Sequence, residues 1–267
     1  MAHIDDSRPF AEAALWYGPY RPPYAAAAID YLSQALGLDR SSRVLDLGCG
    51  PGILTVPIAR RVAEVVALDP EPVMLAQGRE RAAGAGAANI TWVEARAETI
   101  GPALGVFRGA VMGQSFHWME RDLVLSRLAP LLVRGGALAL VGWDAPRRGR
   151  PVESWEPIAQ LCVEEFLGRE VRHRRANPQE PTNEPALQRS PAFGDPEFAV
   201  FEETITRDVG SVLGCLYSMS FSAPGRFGAR RVEFETELTR RLTAIAPDGR
   251  FVETIVTEVT IARRTSA

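Results

Sequence analysis

The chain has 267 residues, of which 46% are hydrophobic and 24% charged, the ordinary composition of a globular protein. Its formal net charge of -3 at pH 7 argues against a surface devoted to nucleic acid, although short arginine runs occur at 147–150 and 172–175. Three cysteines without metal-ligand spacing indicate neither a disulfide framework nor a zinc site. We therefore expect no bound metal and no nucleic-acid partner.

The longest apolar runs, such as 136–143, are far shorter than the roughly 20 residues that a membrane-spanning helix needs. The N-terminus also lacks the basic and then apolar pattern of a signal peptide. We expect a cytoplasmic protein with no membrane partner, and the sequence leaves its oligomeric state open.

Short apolar runs rich in Val, Leu and Ile recur along the first half of the chain, separated by segments compatible with helices. This alternation predicts a parallel sheet with helices on both faces, which is a doubly wound α/β fold. The predicted strands occupy residues 44–47, 65–68, 90–93, 109–113 and 137–143, and the predicted helices occupy 53–62, 71–83 and 119–132.

Two further strands are predicted near the C-terminus. Residues 197–207 and 250–264 alternate apolar and polar side chains, which is typical of strands with one wetter face, and we expect them to pair as an antiparallel hairpin. The sheet would then be mostly parallel and seven-stranded. Residues 208–246 carry two helical patterns and are interpreted as a helical cap insertion, whereas the proline-rich stretch 175–196 is predicted to be a long loop.

We treat the chain as a single domain over 1–267. Its predicted parts are an N-terminal helical lid at 1–40, a ligand-binding core at 41–144, a helix with an irregular loop at 145–196, and the last two strands with their insertion at 197–267.

A glycine-rich turn follows the first predicted strand in the stretch VLDLGCGPG at 44–52. In a doubly wound sheet the ligand lies across the carboxyl ends of the strands, and glycines in the first turn let the backbone approach it closely. Gly48, Gly50 and Gly52 form GxGxG, whereas a dinucleotide fingerprint is GxGxxG, and Ile53 stands where its last glycine belongs. The spacing disfavours a turn that binds a pyrophosphate.

This stretch resembles the first motif of the class I S-adenosylmethionine-dependent methyltransferases, particularly those that act on small molecules. The resemblance extends over most of the chain and implies S-adenosyl-L-methionine (SAM) as the cofactor. It also implies that the turn contacts the methionyl part of SAM through Asp46, Gly48, Cys49, Gly50 and Gly52.

Asp69 ends the second predicted strand in VVALDP, where the family has an acid that accepts hydrogen bonds from the ribose hydroxyls. A carboxylate can accept two hydroxyl bonds, and charge-assisted bonds are the stronger kind. The resemblance places Pro70 beside the cofactor and packs Met74 against its adenine. An acid at this position is also commonly a helix cap.

The segment EARAET at 94–99 resembles the part of the family that contacts adenine. It implies contacts from Ala97 and Glu98. Arg96 departs from the family, which usually has Asp at this position, and this puts the adenine contact in doubt.

The segment GQSFHWMERD at 113–122 matches the region after the fourth strand, where Gln114 and Ser115 would lie beside the cofactor. Methyl transfer is an in-line displacement that mainly needs orientation and exclusion of water, and one general base can take the proton of the acceptor. His117 is predicted to be that base because histidine as a residue type changes protonation near neutral pH, with a structural role as the alternative. Trp118 is predicted to contact the substrate.

The N-terminal segment WYGPYRPPY at 16–24 resembles a region that folds over cofactor and substrate in many of these enzymes. Arg21 could pair with the methionine carboxylate because guanidinium suits bidentate carboxylate recognition. Tyr17, Tyr20 and Tyr24 are predicted to contact the substrate. We expect this segment and the helical insertion to close over the site.

The predicted function is methylation of an amine or hydroxyl on a small molecule, in bacterial secondary metabolism such as tailoring of an aminoglycoside or a sugar. The alternatives are a catalytically silent methyltransferase fold that binds a partner and, less favoured, an RNA methyltransferase. Four acids of the cap would suit a cationic amine: Glu164, Glu165, Glu233 and Glu235.

Overall fold

The computed structural model describes residues 14–143, 152–168 and 182–265. The α-helices in these ranges are α1 (Ala14–Tyr20), α2 (Ala26–Ala35), α3 (Thr55–Ala59), α4 (Pro72–Gly84), α5 (Arg121–Leu128), α6 (Trp155–Leu167), α7 (Glu184–Arg189), α8 (Val209–Tyr217) and α9 (Arg231–Ile245). The strands are β1 (Arg43–Leu47), β2 (Glu64–Asp69), β3 (Ile90–Glu94), β4 (Phe107–Gly113), β5 (Leu132–Gly142), β6 (Glu197–Asp208) and β7 (Arg250–Arg263). The longest described helix has 15 residues, and no helix in these ranges is both long and apolar enough to cross a bilayer.

The strands form one sheet in the order β3-β2-β1-β4-β5-β7-β6. Strands β1 to β5 pair in parallel, and β7 runs antiparallel to β5. The predicted fold, a mostly parallel seven-stranded sheet with a C-terminal antiparallel hairpin, is confirmed. Because the central parallel strands are covered on both faces, they read as the continuous apolar runs seen in the sequence.

One face of the sheet packs on α5 through large apolar side chains. Phe107 and Met112 of β4 lie beside Leu138 of β5 in a buried cluster that also contains Val124 and Leu128 of α5. Because β1 to β5 all run in the same direction, their carboxyl ends lie at the same edge of the sheet.

A short helix replaces part of the loop predicted at 175–196, so that prediction is wrong over α7; residues 175–181 lie outside the described ranges. Pro185 occupies the first turn of α7, where proline is compatible with a helix. Ala186 and Leu187 are 0% and 1% exposed and join the core cluster beside α5. Two buried apolar residues therefore order a segment whose composition indicates a loop.

The chain divides into two compact units, whereas the sequence is interpreted as one domain. The helical unit draws on residues within 1–23, 150–174 and 203–255, and contains α1, α6, α8 and α9. The sheet unit draws on residues within 24–149, 175–202 and 256–267. The residues of β6 and β7 are shared between the two.

The helical unit has its own aromatic core. Tyr217, Phe227 and Phe234 are buried, with ring centroids 4.0 to 6.2 Å apart. Helix α8 begins with a capping box in which Asp208 accepts the Ser211 backbone N–H at 2.6 Å, while the Ser211 hydroxyl accepts the Asp208 N–H. The two helical patterns expected in 208–246 are present as α8 and α9.

Two glycines of α4 provide a test of packing between this helix and β3. A Cβ at Gly78 would lie 2.5 Å from two atoms of the Trp92 ring, whereas a Cβ at Gly84 would meet nothing within 4 Å. Alanine gains about 1 kcal/mol over glycine in a helix, so Gly84→Ala should be neutral or stabilising. Gly78→Ala should instead destabilise by about 1–3 kcal/mol because it overpacks this contact. Urea denaturation of both variants measures the difference, and equal effects would contradict the packing.

Candidate active site at the carboxyl edge of the sheet

The turn after β1 is built on left-handed glycines. Gly48, Gly50 and Gly52 have φ angles of 67°, 52° and 75°, which residues with a side chain adopt at a cost. A Cβ at Gly48 would lie 2.5 Å from the Cβ of Ser115, so this position also lacks space for a side chain. The N–H of Cys49 donates to the Leu68 carbonyl at 2.9 Å and joins the turn to β2.

Asp69 stands at the end of β2 and is 8% exposed. One carboxylate oxygen accepts the Gly50 N–H at 2.8 Å and the other accepts the Glu71 N–H at 2.9 Å. Burial raises the pKa of Asp69, while these two backbone bonds oppose the rise. Each oxygen keeps a further lone pair, so local capping does not exhaust this acceptor. Met74 is buried in the following helix and Pro70 is exposed.

Asp46 is fully buried in β1 beneath the turn. The Thr55 hydroxyl donates to its Oδ2 at 2.6 Å, and Oδ1 has no hydrogen-bond partner among the described residues. Burial raises the pKa of Asp46 to about 7, the Thr55 bond opposes this, and the Asp69 charge adds to it. A buried carboxyl with one unpaired oxygen is a polar group that a ligand can satisfy.

Cys49 of the turn is not a nucleophile in this environment. The side chain is 7% exposed, and burial followed by the Asp46 and Asp69 charges raises the pKa of its thiol. The neutral thiol is a poor nucleophile, so Cys49 serves the turn through its backbone.

Trp92 of β3 packs against the turn, although no sequence motif marks it. Its ring lies 3.0 Å from the position of a Cβ at Gly52 and 2.5 Å from that at Gly78. Glycines on both sides of the indole make this approach feasible. Neither the Trp92 contact nor the Thr55 bond has a sequence signal, because each joins residues from different elements without a fixed spacing.

The two predicted cofactor residues after β4, Gln114 and Ser115, contact different strands of the sheet. The Ser115 hydroxyl donates to the Leu47 carbonyl at 2.6 Å and thus lies against the glycine turn. Gln114 has a φ of 52°, uncommon for a residue with a side chain, and its N–H donates to Val141. Its amide nitrogen lies 3.6 Å from the position of a Cβ at Gly142, beside β5.

His117 and Trp118 belong to a 3₁₀ turn just after this segment, with ring centroids 5.4 Å apart. Tyr24 is buried and stacks on Trp143 at 4.9 Å, while its hydroxyl lies 2.7 Å from the position of a Cβ at Gly113. The structure thus brings Tyr24 to the carboxyl end of β4, as a packed side chain.

Ala97 and Glu98 form a 3₁₀ turn after β3, and both are engaged locally. Ala97 is 6% exposed, and Glu98 accepts the Glu120 N–H at 3.0 Å. Arg96, where the family usually has an acid, pairs with Glu98 at 3.3 Å. The Glu98 carboxylate therefore has two protein partners, and its adenine contact stays a prediction.

Three predicted site residues belong to the helical unit. Arg21 donates to the Ser218 carbonyl at 3.3 Å and lies over the Tyr17 ring at 5.0 Å. The ring of Tyr20 packs on Gly214, where it leaves no room for a side chain. Their roles toward cofactor and substrate stay predictions.

Comparison with known proteins finds sequence similarity within the sheet unit. Residues 44–136 match a family model described as a methyltransferase domain. An uncharacterized methyltransferase of Mycobacterium tuberculosis is 34% identical over 140 residues, which are 52% of this chain and 54% of that protein. The chain therefore spans about half the length of the curated relatives it matches.

Two solved structures share the fold. A protein of Anaeromyxobacter dehalogenans has a TM-score of 0.60 at 20% identity, covering 92% of this chain and 97% of that one. A SAM-dependent methyltransferase from Thiobacillus denitrificans, in complex with S-adenosyl-L-homocysteine, has a TM-score of 0.51 at 17% identity, covering 95% and 97%. The predicted resemblance to class I methyltransferases is confirmed.

The proton on Asp46 should make stability depend on pH. Between about pH 4 and 7 the folded chain keeps a proton that the unfolded chain has lost, so the free energy of unfolding falls as the pH rises through this window. The loss is complete above about pH 7 and amounts to about 4 kcal/mol. The variant Asp46→Asn keeps the shape of the side chain and an acceptor for Thr55 but has no carboxyl proton to lose. Its free energy of unfolding should exceed that of the wild type by much more at pH 8 than at pH 5.

Urea denaturation of both proteins at the two pH values measures this difference. Glu64→Gln, at the opposite end of β2, is the control and should show no such gain, since the Arg43 guanidinium holds the pKa of Glu64 below its usual range. If the free energies of unfolding of wild type and Asp46→Asn changed equally between pH 5 and 8, the folded chain would not hold a proton on Asp46.

Proposed function

We propose that this chain, whose residues 44–136 match a methyltransferase domain and whose fold resembles that of class I methyltransferases, transfers the methyl group of SAM to an amine or hydroxyl of a small molecule. The observation that carries the proposal is the buried Asp69 carboxylate at the end of β2, hydrogen-bonded to the glycine turn yet retaining acceptor capacity.

The residues at this edge fit the cofactor. Asp69 would hold the ribose hydroxyls, and the left-handed turn allows the backbone to approach the methionyl part. A Cβ position at Gly50 meets nothing within 4 Å, so space is open on that side of the turn. The unpaired oxygen of Asp46 adds a buried acceptor next to the turn.

When bound, SAM would supply an electrophilic methyl group on its sulfonium sulfur: a bond forms between the acceptor lone pair and the methyl carbon, in line with the C–S bond that breaks, and S-adenosyl-L-homocysteine is the leaving group. The protein orients the acceptor and keeps water away, which needs few reacting side chains. His117 would take the proton that the nucleophile loses, because it follows β4 at the carboxyl edge and histidine is the side-chain type most often used as a general base.

The acceptor is proposed to be a small molecule of bacterial secondary metabolism, such as an aminoglycoside or a sugar. The acids of the helical unit do not select a cationic amine, because each has a local partner. The pairs are Gln160 with Glu164, Arg241 with Glu165, Arg230 with Glu233 and Arg231 with Glu235. Hydroxyl and amine acceptors therefore remain equal candidates.

Two other functions are weighed against this one. The first is a catalytically silent fold that binds a partner; calorimetry with pure protein tests it, because absence of SAM binding would exclude the enzyme. RNA methylation rests on the arginine runs at 147–150 and 172–175, which lie outside the described residues. A screen of amine and hydroxyl acceptors with labelled SAM identifies the reaction directly.

Asp69→Ala should weaken SAM binding tenfold or more, because a charge-assisted acceptor is worth roughly 1.5–3 kcal/mol. Isothermal titration calorimetry measures the Kd, and thermal unfolding checks that the turn remains folded. Glu64→Gln at the other end of the same strand should bind SAM like wild type. An unchanged Kd in Asp69→Ala would remove this residue from the cofactor site.

His117→Ala should lower kcat by roughly a hundredfold toward the acceptor that the screen identifies, with nearly unchanged SAM affinity. In the wild-type enzyme, kcat should fall at low pH as the base becomes protonated. This fall should be absent from the pH profile of the variant, which lacks the base. Near wild-type turnover with the same pH profile would assign His117 to positioning or packing.

A further inference from the structure

A cavity of about 300 Å³ lies within the sheet unit, at the edge of the sheet opposite Asp69. It is open to solvent and lies where β1, β4 and β5 begin, because Arg43, Arg108 and Val133 line it and are each among the first two residues of their strands. Its volume is at the lower end of the range for small-molecule pockets, roughly 300–1,000 Å³. The methyl transfer proposed above uses no residue of this edge.

Arg108 brings a positive charge to this cavity and is held in a defined position. Its Nε donates to the Gly37 carbonyl at 3.2 Å, and its Nη1 donates to the Gly135 carbonyl at 3.4 Å. A Cβ at Gly37 would lie 2.5 Å from Nη2 of Arg108, so the glycine leaves the space that the guanidinium group occupies. Both acceptors are neutral, and no carboxylate among the described residues forms an ion pair with Arg108. The protein therefore leaves this charge without a counter-charge.

Asp39 brings a negative charge to the same cavity. Its Oδ1 accepts the Ser41 N–H at 2.9 Å and the hydroxyls of Ser41 and Ser42 at 2.7 and 2.9 Å. These bonds, the one from the Ser41 hydroxyl above all, hold the pKa of Asp39 below its usual range, so the carboxylate is ionised at neutral pH. Oδ2 accepts no hydrogen bond from the described residues and can accept one from a cationic ligand.

The other walls of the cavity are neutralised or apolar. Arg43 forms an ion pair with Glu64 at 2.6 Å, so its charge is already balanced. Val106, which is 56% exposed, and Val133 add apolar surface. The two arginines at this cavity are thus matched by two acids, and a ligand without net charge suits the site better than an anion does.

We propose that this cavity binds a small zwitterion with an apolar part, namely an α-amino acid with an aliphatic side chain. The ligand carboxylate accepts from Arg108, its ammonium group donates to Oδ2 of Asp39, and its side chain covers Val106 and Val133. Guanidinium matches a carboxylate in geometry and in charge. A zwitterion gives both protein charges a partner of opposite sign, whereas a simple anion would satisfy one and be repelled by the other.

Thermal unfolding of the full chain at pH 7 without SAM tests the proposal with L-leucine as the probe. The midpoint should rise saturably, by about 3 °C at ten times the Kd. Glycine, a zwitterion without the apolar part, controls for general effects of the solute and should give a smaller rise at equal concentration. No saturable rise with L-leucine, or an equal rise with glycine, would overturn the proposal. Because no SAM is added, the result is independent of whether the chain transfers methyl groups.

Two analogues of L-leucine test the two charged contacts separately in the wild-type protein. The anion 4-methylpentanoate lacks the ammonium group, and the cation 3-methylbutylamine lacks the carboxylate. Each loses one charge-assisted contact, so the Kd of each should be about tenfold higher than that of L-leucine or more. If 4-methylpentanoate bound as tightly as L-leucine, the site would not recognise a zwitterion and the proposal would fail.

Variants locate the site. Arg108→Gln should raise the Kd of L-leucine about tenfold or more. Asp39→Asn keeps an acceptor oxygen for Ser41 and Ser42 and should raise the Kd of L-leucine by a similar factor without weakening 4-methylpentanoate. Arg127→Gln changes an exposed arginine near the end of α5 and should bind L-leucine like wild type.

The unfolding midpoint of each variant without ligand shows whether it is folded. A wild-type Kd for L-leucine in Arg108→Gln or in Asp39→Asn would contradict the placement, and so would a lost response in Arg127→Gln. The comparison of analogues uses the wild-type chain alone and therefore decides the proposal even where a variant fails to fold.

Discussion

The 2.8 Å hydrogen bond from the Gly50 N–H to the Asp69 carboxylate ties the turn after β1 to the end of β2. The amide points at Asp69 because Gly50 adopts a left-handed conformation, which a residue with a side chain would adopt at a cost. Gly48 leaves room for Ser115, whose hydroxyl donates back to the Leu47 carbonyl. This local backbone constraint therefore assembles parts of β1, β2 and the segment after β4 at the same edge of the sheet.

The positions of the strands could be predicted because buried parallel strands consist mostly of apolar residues, and apolar residues predominate in β1, β2, β4 and β5. The chain order then fixes which ends meet, so Asp46, Asp69 and Ser115 could be expected at one edge. Helix α7 could not be predicted, since its order comes from the burial of Ala186 and Leu187 against a distant helix and not from its local composition.

The contacts that complete the site arise from tertiary packing. Thr55 bonds to Asp46 from the start of α3, and Trp92 fills the space that Gly52 and Gly78 leave. Gly78 of α4 belongs to no motif, and its role is evident only from the position of the Trp92 ring in the structure. Sequence patterns report the residues that a ligand-binding turn requires, whereas the side chains that support it depend on which elements become neighbours.

The buried Asp46 carboxyl is a cost to folding at neutral pH. An amide of the same shape could accept the Thr55 bond without the desolvation that raises the pKa of the acid to about 7. Packing alone therefore does not account for this acid, and strongly shifted carboxyls concentrate at ligand sites, which supports the proposed contact of Asp46 with the cofactor. The position of Asp46 beneath the glycine turn agrees with that explanation.

The helical unit shows the same physical pattern in a different part of the chain. Buried ion pairs such as Arg207 with Glu253 add little stability compared with apolar residues of the same size, and the aromatic cluster already supplies this unit with a core. The pair does hold the C-terminal end of α1, because Arg207 donates to the Tyr20 carbonyl. A helix of seven residues that contains Pro19 has little stability of its own, so its position depends on such contacts.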